Sequence, residues 1–166
     1  SDSKATQITT PLPAEYPEGS LQSVAINAAG NAVMVGTAFN ATYQTWAPLA
    51  YSETSGTATQ ITTPLPTGST SGSINSVAIN PSGKIIMGGS FLRPYGNWAP
   101  LAYSWMGSSD ASVIDTPPPQ LNYRGGALFS VAINYSGNAV MGGEAFYEAP
   151  PTGGAASGGS FTSGSP

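Results

Sequence analysis

The 166-residue chain contains no cysteine and no histidine. Without cysteine there is no disulfide framework and no thiolate chemistry. The compartment stays open on that ground, since many surface proteins also lack the residue. Without histidine the chain loses the commonest general base, the triads built on it, and most zinc sites. Charge is scarce as well: Asp, Glu, Lys and Arg make up 7% of the residues, far below the usual quarter. The four basic residues, Lys4, Lys84, Arg93 and Arg124, are scattered. A phosphate backbone needs them clustered, so nucleic acid is not an expected partner, and the same scarcity argues against anionic membranes. No apolar run reaches the roughly 18 residues of a spanning helix, so membrane insertion is not expected. Ser1 opens on polar residues without a leader pattern, as a processed or excised chain would.

Turn-formers and apolar residues are plentiful. Glycine occurs 21 times and proline 15 times, while apolar residues reach 40%. Low charge with normal apolar content does not fit disorder. Three motifs recur in one order. Ala5-Thr-Gln-Ile-Thr-Thr-Pro-Leu-Pro13 returns unchanged at Ala58–Pro66, with a weaker copy at Ala111–Pro119. Ser-Val-Ala-Ile-Asn stands at Ser23, Ser76 and Ser130, and Trp-Ala-Pro-Leu-Ala-Tyr-Ser at Trp46 and Trp98. The offsets are 52 to 54 residues. Such a period marks a repeat architecture.

Each unit reads as four short strands. Val24 and Ile26 alternate with Ser23, Ala25 and Asn27. The Asn-x-x-Gly that follows suits a type I turn whose glycine (Gly30, Gly83, Gly137) takes positive φ and launches the returning strand through a bulge. Returning strands are expected at 32–35, 85–87 and 139–141. Third strands are expected at 48–52 and 100–105, and β-branched fourth strands at 6–10, 59–63 and 112–115. Proline then ends the ladder. One strand face is Val/Ile and the other Ala/Ser, as interdigitating stacked sheets require. The expected fold is therefore all-β: tandem four-stranded antiparallel blades of a β-propeller in three partial or full repeats of about 53 residues. An open solenoid or flat array is the alternative. The array is expected over residues 1–151, with repeats at about 5–57, 58–110 and 111–151. Residues 152–166 read as a Gly/Ser-rich flexible tail, or alternatively as an irregular strand around 160–162.

The segment Gly72-Ser-Ile-Asn-Ser-Val-Ala-Ile-Asn-Pro-Ser-Gly-Lys-Ile-Ile-Met-Gly-Gly-Ser-Phe91 resembles the bacterial delta-sixty propeller repeats, which are Kelch-like, and repeat arrays of autotransporter-type surface proteins. The resemblance spans about residues 5–147 and implies an extracellular or cell-surface setting. It is weak on function, because propellers host many activities. The third copy departs from it, lacking the Trp-Ala-Pro-Leu-Ala-Tyr-Ser motif.

No catalytic residue, metal site or cofactor is expected. The eight carboxylates recur at no common phase and form no calcium loop. The recurring aromatics Tyr43 and Trp46, with Tyr95, Asn97 and Trp98, lie before the third strand and are the candidate sugar-binding residues. Packing is the competing role, with Trp46 and Trp98 capping the core between blades and Tyr51 and Tyr103 built into it. Asn27, Asn80 and Asn134 are expected to hold their turns. Asn40-Ala-Thr42 and Asn134-Tyr-Ser136 match the glycosylation acceptor pattern, which short Asn- and Ser-rich chains produce by chance. The functional expectation is a non-catalytic structural or adhesive surface or fibre protein, with a lectin carrying one aromatic site per blade as the alternative. Further blades or other copies of the chain are the expected partners, a neighbour's final blade being completed by residues 6–10; glycans are a further candidate.

Overall fold

The computed structural model describes residues 7–107, 110–116, 123–147 and 159–164. Among them there is no helix. The chain forms three antiparallel sheets. The first contains β1 (Glu18–Ile26), β2 (Ala32–Asn40), β3 (Thr45–Thr54) and β4 (Thr57–Gln60), paired in chain order. The second repeats this with β5 (Ser71–Ile79), β6 (Ile85–Leu92), β7 (Trp98–Trp105) and β8 (Ser112–Ile114). The third has β9 (Tyr123–Ile133), β10 (Ala139–Tyr147) and β11 (Gly159–Gly164), with β10 in the middle.

The first hairpin of each sheet is built alike. Gly30, Gly83 and Gly137 have φ of 85°, 87° and 88°, and their N–H groups donate to the carbonyls of Asn27, Asn80 and Asn134. The register then slips, leaving Gln22, Asn75 and Phe129 as the extra residue of a bulge, and in the third sheet it slips a second time at Arg124. Opposite each bulge stands Gly36, Gly89 or Gly143, where a Cβ would overlap the carbonyl of Ser20, Ser73 or Ala127. The recurring glycine is thus demanded by the close approach of two backbones. The second hairpins differ by one residue. Arg93 and Asn97 enclose three residues, whereas Asn40 and Thr45 enclose four, with Gln44 at φ 52°. That difference accounts for the tryptophan offset of 52 beside the general 53.

The sheets stack in series. Each has a front face turned toward the chain start and a back face turned toward the next sheet. Val33, Val35 and Ala50 on the back of the first sheet pack on Ile74, Val77, Ile85, Met87, Leu101 and Tyr103 on the front of the second. Ile86 and Ala102 on the back of the second pack on Leu128, Val131, Ala139 and Met141 of the third. In the second junction a branched residue meets a small one where Val131 inserts at Gly88 (a Cβ there would lie 2.6 Å from Val131 Cγ1), whereas the first junction has Val35 at that place, among Ile74 and Val77. The first and third sheets share no packed strand pair among the described residues.

Two expectations are corrected. Gln7–Thr10 is not a strand (Thr6 lies outside the described residues). Its later counterpart, Gln60–Thr63, gives only Gln60 to a strand, β4 lying at Thr57–Gln60 and not at the expected 59–63 and pairing with β3; among the described residues no sheet lies before Gln7–Thr10. The tail is also not linker throughout, because Gly159–Gly164 pairs with β10. Phe161 stands opposite Gly143, as Leu49 and Leu101 stand opposite Gly36 and Gly89. The third-strand place is filled without the motif that marks it elsewhere, because backbone pairing needs register and not a particular side-chain sequence.

Candidate functional site

The recurring aromatics gather at one rim, on the turns from β2 to β3 and from β6 to β7. Tyr43 and Tyr95 lie in the turns and are 72% and 92% exposed. Trp46 and Trp98 open the third strands on the back face, 44% and 40% exposed. Neither tryptophan is among the buried core residues. Each sits at the mouth of a junction between sheets, with much of its ring in solvent. Trp46 is held from two sides. Its ring lies 4.4 Å from that of Phe39 across the strand pair, tilted by 36°. Its backbone N–H donates to Ser71 Oγ of the next sheet at 3.1 Å. Trp98 pairs with Leu92, and Gly125 of the third sheet closes on its carbonyl. Asn97 is exposed, and its carbonyl accepts from Arg93 N–H at 2.8 Å. Each of the two turns thus offers an exposed tyrosine with a half-exposed indole three residues on. The second turn adds an exposed amide at Asn97.

Other polar groups near the rim already have work. Asn40 is buried, accepts from the N–H groups of Thr42 and Tyr43, and donates to Glu15 O. A side chain so committed is no glycan acceptor in this fold. Gln44 donates to Ala41 O at 2.7 Å. Glu53 is buried and locks the β3–β4 turn by accepting from Gly56 N–H.

Tyr51 and Tyr103 are fully buried and act as clamps. Tyr51 donates to Pro11 O, and Tyr103 donates to Pro64 O at 2.9 Å. Each hydroxyl ties down the proline segment that precedes its own sheet. Burial pushes both phenols above their ordinary range.

At the opposite rim the turn asparagines do two jobs, of which the sequence suggested one. Their Oδ1 atoms cap the turn, accepting from Asn31, Lys84 and Asn138 N–H. The amides of Asn27 and Asn80 then reach the next turn, donating to Asn80 O and Tyr135 O at 3.5 Å. Lys84 Nζ adds a bond to Gly137 O at 2.9 Å. The signal was the recurrence of Asn at one position per unit; the cross-sheet partner depends on stacking, which no single repeat encodes. Beside this rim two equivalent clefts of about 180 and 210 Å³ open between successive sheets, one lined by Glu53 and Trp105, the other by Lys84 and Asn138. Both are smaller than the roughly 300–1,000 Å³ of small-molecule pockets.

No protein-family model matches the chain, and no curated protein matches it at a significant level.

Proposed function

We propose that the chain is a β-propeller-type repeat scaffold without catalytic activity, acting outside the cell as a structural or adhesive component. The observation that carries the reading is the junction between sheets, used twice with corresponding positions facing the same way. Such a junction extends an array and sets the described turns along two rims. Its four-stranded sheets agree with the resemblance to delta-sixty propeller repeats. The non-catalytic reading rests on the missing histidine and on carboxylates that share no phase.

A second reading, carbohydrate binding with one site per blade, is favoured by the exposure of Tyr43, Trp46, Tyr95 and Trp98. Aromatic faces stack on the C–H faces of sugar rings, and Asn97 supplies an amide for a hydroxyl. Beads coated with the chain and passed over cell or polysaccharide surfaces test both readings. The adhesive scaffold predicts retention that free sugars do not displace. The lectin reading predicts retention that free sugars abolish and that falls roughly tenfold or more in the Trp46→Ala/Trp98→Ala variant, as for loss of a binding anchor. Retention no greater than with an unrelated protein overturns both.

A further inference from the structure

Both ends of the stack present one half of the internal junction. On the front of the first sheet, Leu21, Val24 and Ile26 are 43%, 66% and 67% exposed. Their counterparts in the second sheet, Ile74, Val77 and Ile79, pack into the first junction, and those in the third, Leu128, Val131 and Ile133, into the second. With Met34, Leu21 and Val24 border a shallow hollow of about 380 Å³. On the back of the third sheet, Val140 is 52% exposed, whereas its counterparts Val33 and Ile86 are 1% and 2% exposed. Gly142 stands where Gly88 receives Val131, yet a Cβ on Gly142 would meet nothing within 4 Å among the described residues. Asn134 caps its own turn, but its amide finds no acceptor in a following turn among the described residues, unlike those of Asn27 and Asn80. Among the described residues, knob and hole are thus both present and both unfilled, at opposite ends.

The segment before the first sheet fits the same junction. Its sequence, Ala5–Pro13, is identical to Ala58–Pro66. In the internal copy, β4 completes the preceding sheet and Ile61 is 1% exposed; in the first copy, Ile8 is 36% exposed.

We propose that a second copy of this chain docks head to tail, the front of its first sheet on the back of the third, reproducing the internal junction. The proposal rests on the repeat-scaffold reading and supplies its partner. Val24 enters the space over Gly142, Val140 is covered, and Asn134 gains a turn carbonyl on the second copy. The contact is heterologous, so it closes into a ring or propagates as a fibre according to the rotation per sheet.

Sedimentation velocity on the 166-residue chain over a range of concentrations tests this. The expected result is mass growing with concentration. Val24→Glu and Val140→Glu, each on an exposed side chain, should both sediment as monomers with the circular dichroism of the parent chain. Ile26→Glu repeats the first arm should Val24→Glu fail to fold. Mixing the front-face and back-face variants restores one good junction and should give a dimer with one copy of each and nothing larger. A parent chain that stays monomeric up to about 1 mM overturns the proposal. So does association that survives either variant, or a mixture that fails to pair. Neither surface nor sugar enters the measurement, so its failure leaves the adhesive reading standing, and failed bead retention leaves this proposal standing.

Discussion

Tyr103 is where burial, hydrogen bonding and titration meet in one residue. Its hydroxyl is the donor that holds the Pro64 carbonyl, and a phenolate could not donate. Burial raises its pKa, as it does for Tyr51. Folding therefore favours the neutral phenol. The stability that this adds is fully present below the ordinary tyrosine range near 10 and is lost as pH climbs above it. Tyr103→Phe keeps the ring in the junction but leaves the Pro64 carbonyl without its donor. It should cost about 1 kcal/mol at neutral pH, as for a typical hydrogen bond. It should also flatten the fall in stability above pH 10. Urea unfolding at neutral pH and at pH 11 measures both. An unchanged slope between the two pH values would show that the phenol does not carry the alkaline sensitivity.

At the scale of the hairpin, two glycines of one motif play different parts. Gly83 has φ 87°, and a Cβ there would meet nothing within 4 Å, so Gly83→Ala costs only the left-handed backbone penalty of about 1–2 kcal/mol. Gly89 faces the bulge, where a Cβ would overlap Ser73 O and abut Ile74 Cα. Backbone on both sides leaves little room to relax, so Gly89→Ala should cost about 3 kcal/mol or more. Thermal or urea unfolding of the two variants should rank them in that order, and equal losses would remove the bulge as the reason for the recurring glycine. The hairpins show what the sequence made legible. Asn, two spacers and Gly specify a turn by local chemistry, so strands, turns and the positive φ at Gly30, Gly83 and Gly137 followed from spacing. The bulge was expected beside the turn glycine, but the register also slips further along, opposite Gly36, Gly89 and Gly143, where a contact across two strands decides. The exposure of Trp46 and Trp98 escaped for the same reason. Recurrence suggested packing, yet their depth depends on where Ser71 and Gly125 of the next sheet come to rest. β11 stood in the sequence only as the alternative, an irregular strand around 160–162, because Gly-Ser-Phe-Thr-Ser-Gly has little strand propensity, and its pairing with β10 makes it a strand.

For the whole molecule, serial stacking makes stability a matter of neighbours. The second sheet is packed on both faces, with Ile74, Ile85 and Leu101 in one junction and Ile86 and Ala102 in the other. The outer sheets each leave a face largely open at Val24 and Ile26 or at Val140. Covering an aliphatic side chain of this size contributes roughly 1.5–3 kcal/mol, so the difference between a middle and an outer sheet is several such terms. Opening should therefore begin at the ends. In dilute solution, where copies are apart, amide exchange should be slowest in β6 and β7 and faster in β1 and β10. Because the first and third sheets share no packed strand pair among the described residues, Val24→Glu should leave exchange in β9 and β10 unchanged. Uniform protection across the three sheets would mean that the chain opens as one cooperative unit, and the nearest-neighbour account would fail. A gradient that disappears as concentration rises, with β1 and β10 gaining protection together, would tie the two open faces to each other, since a front face can be covered only where a back face is covered too.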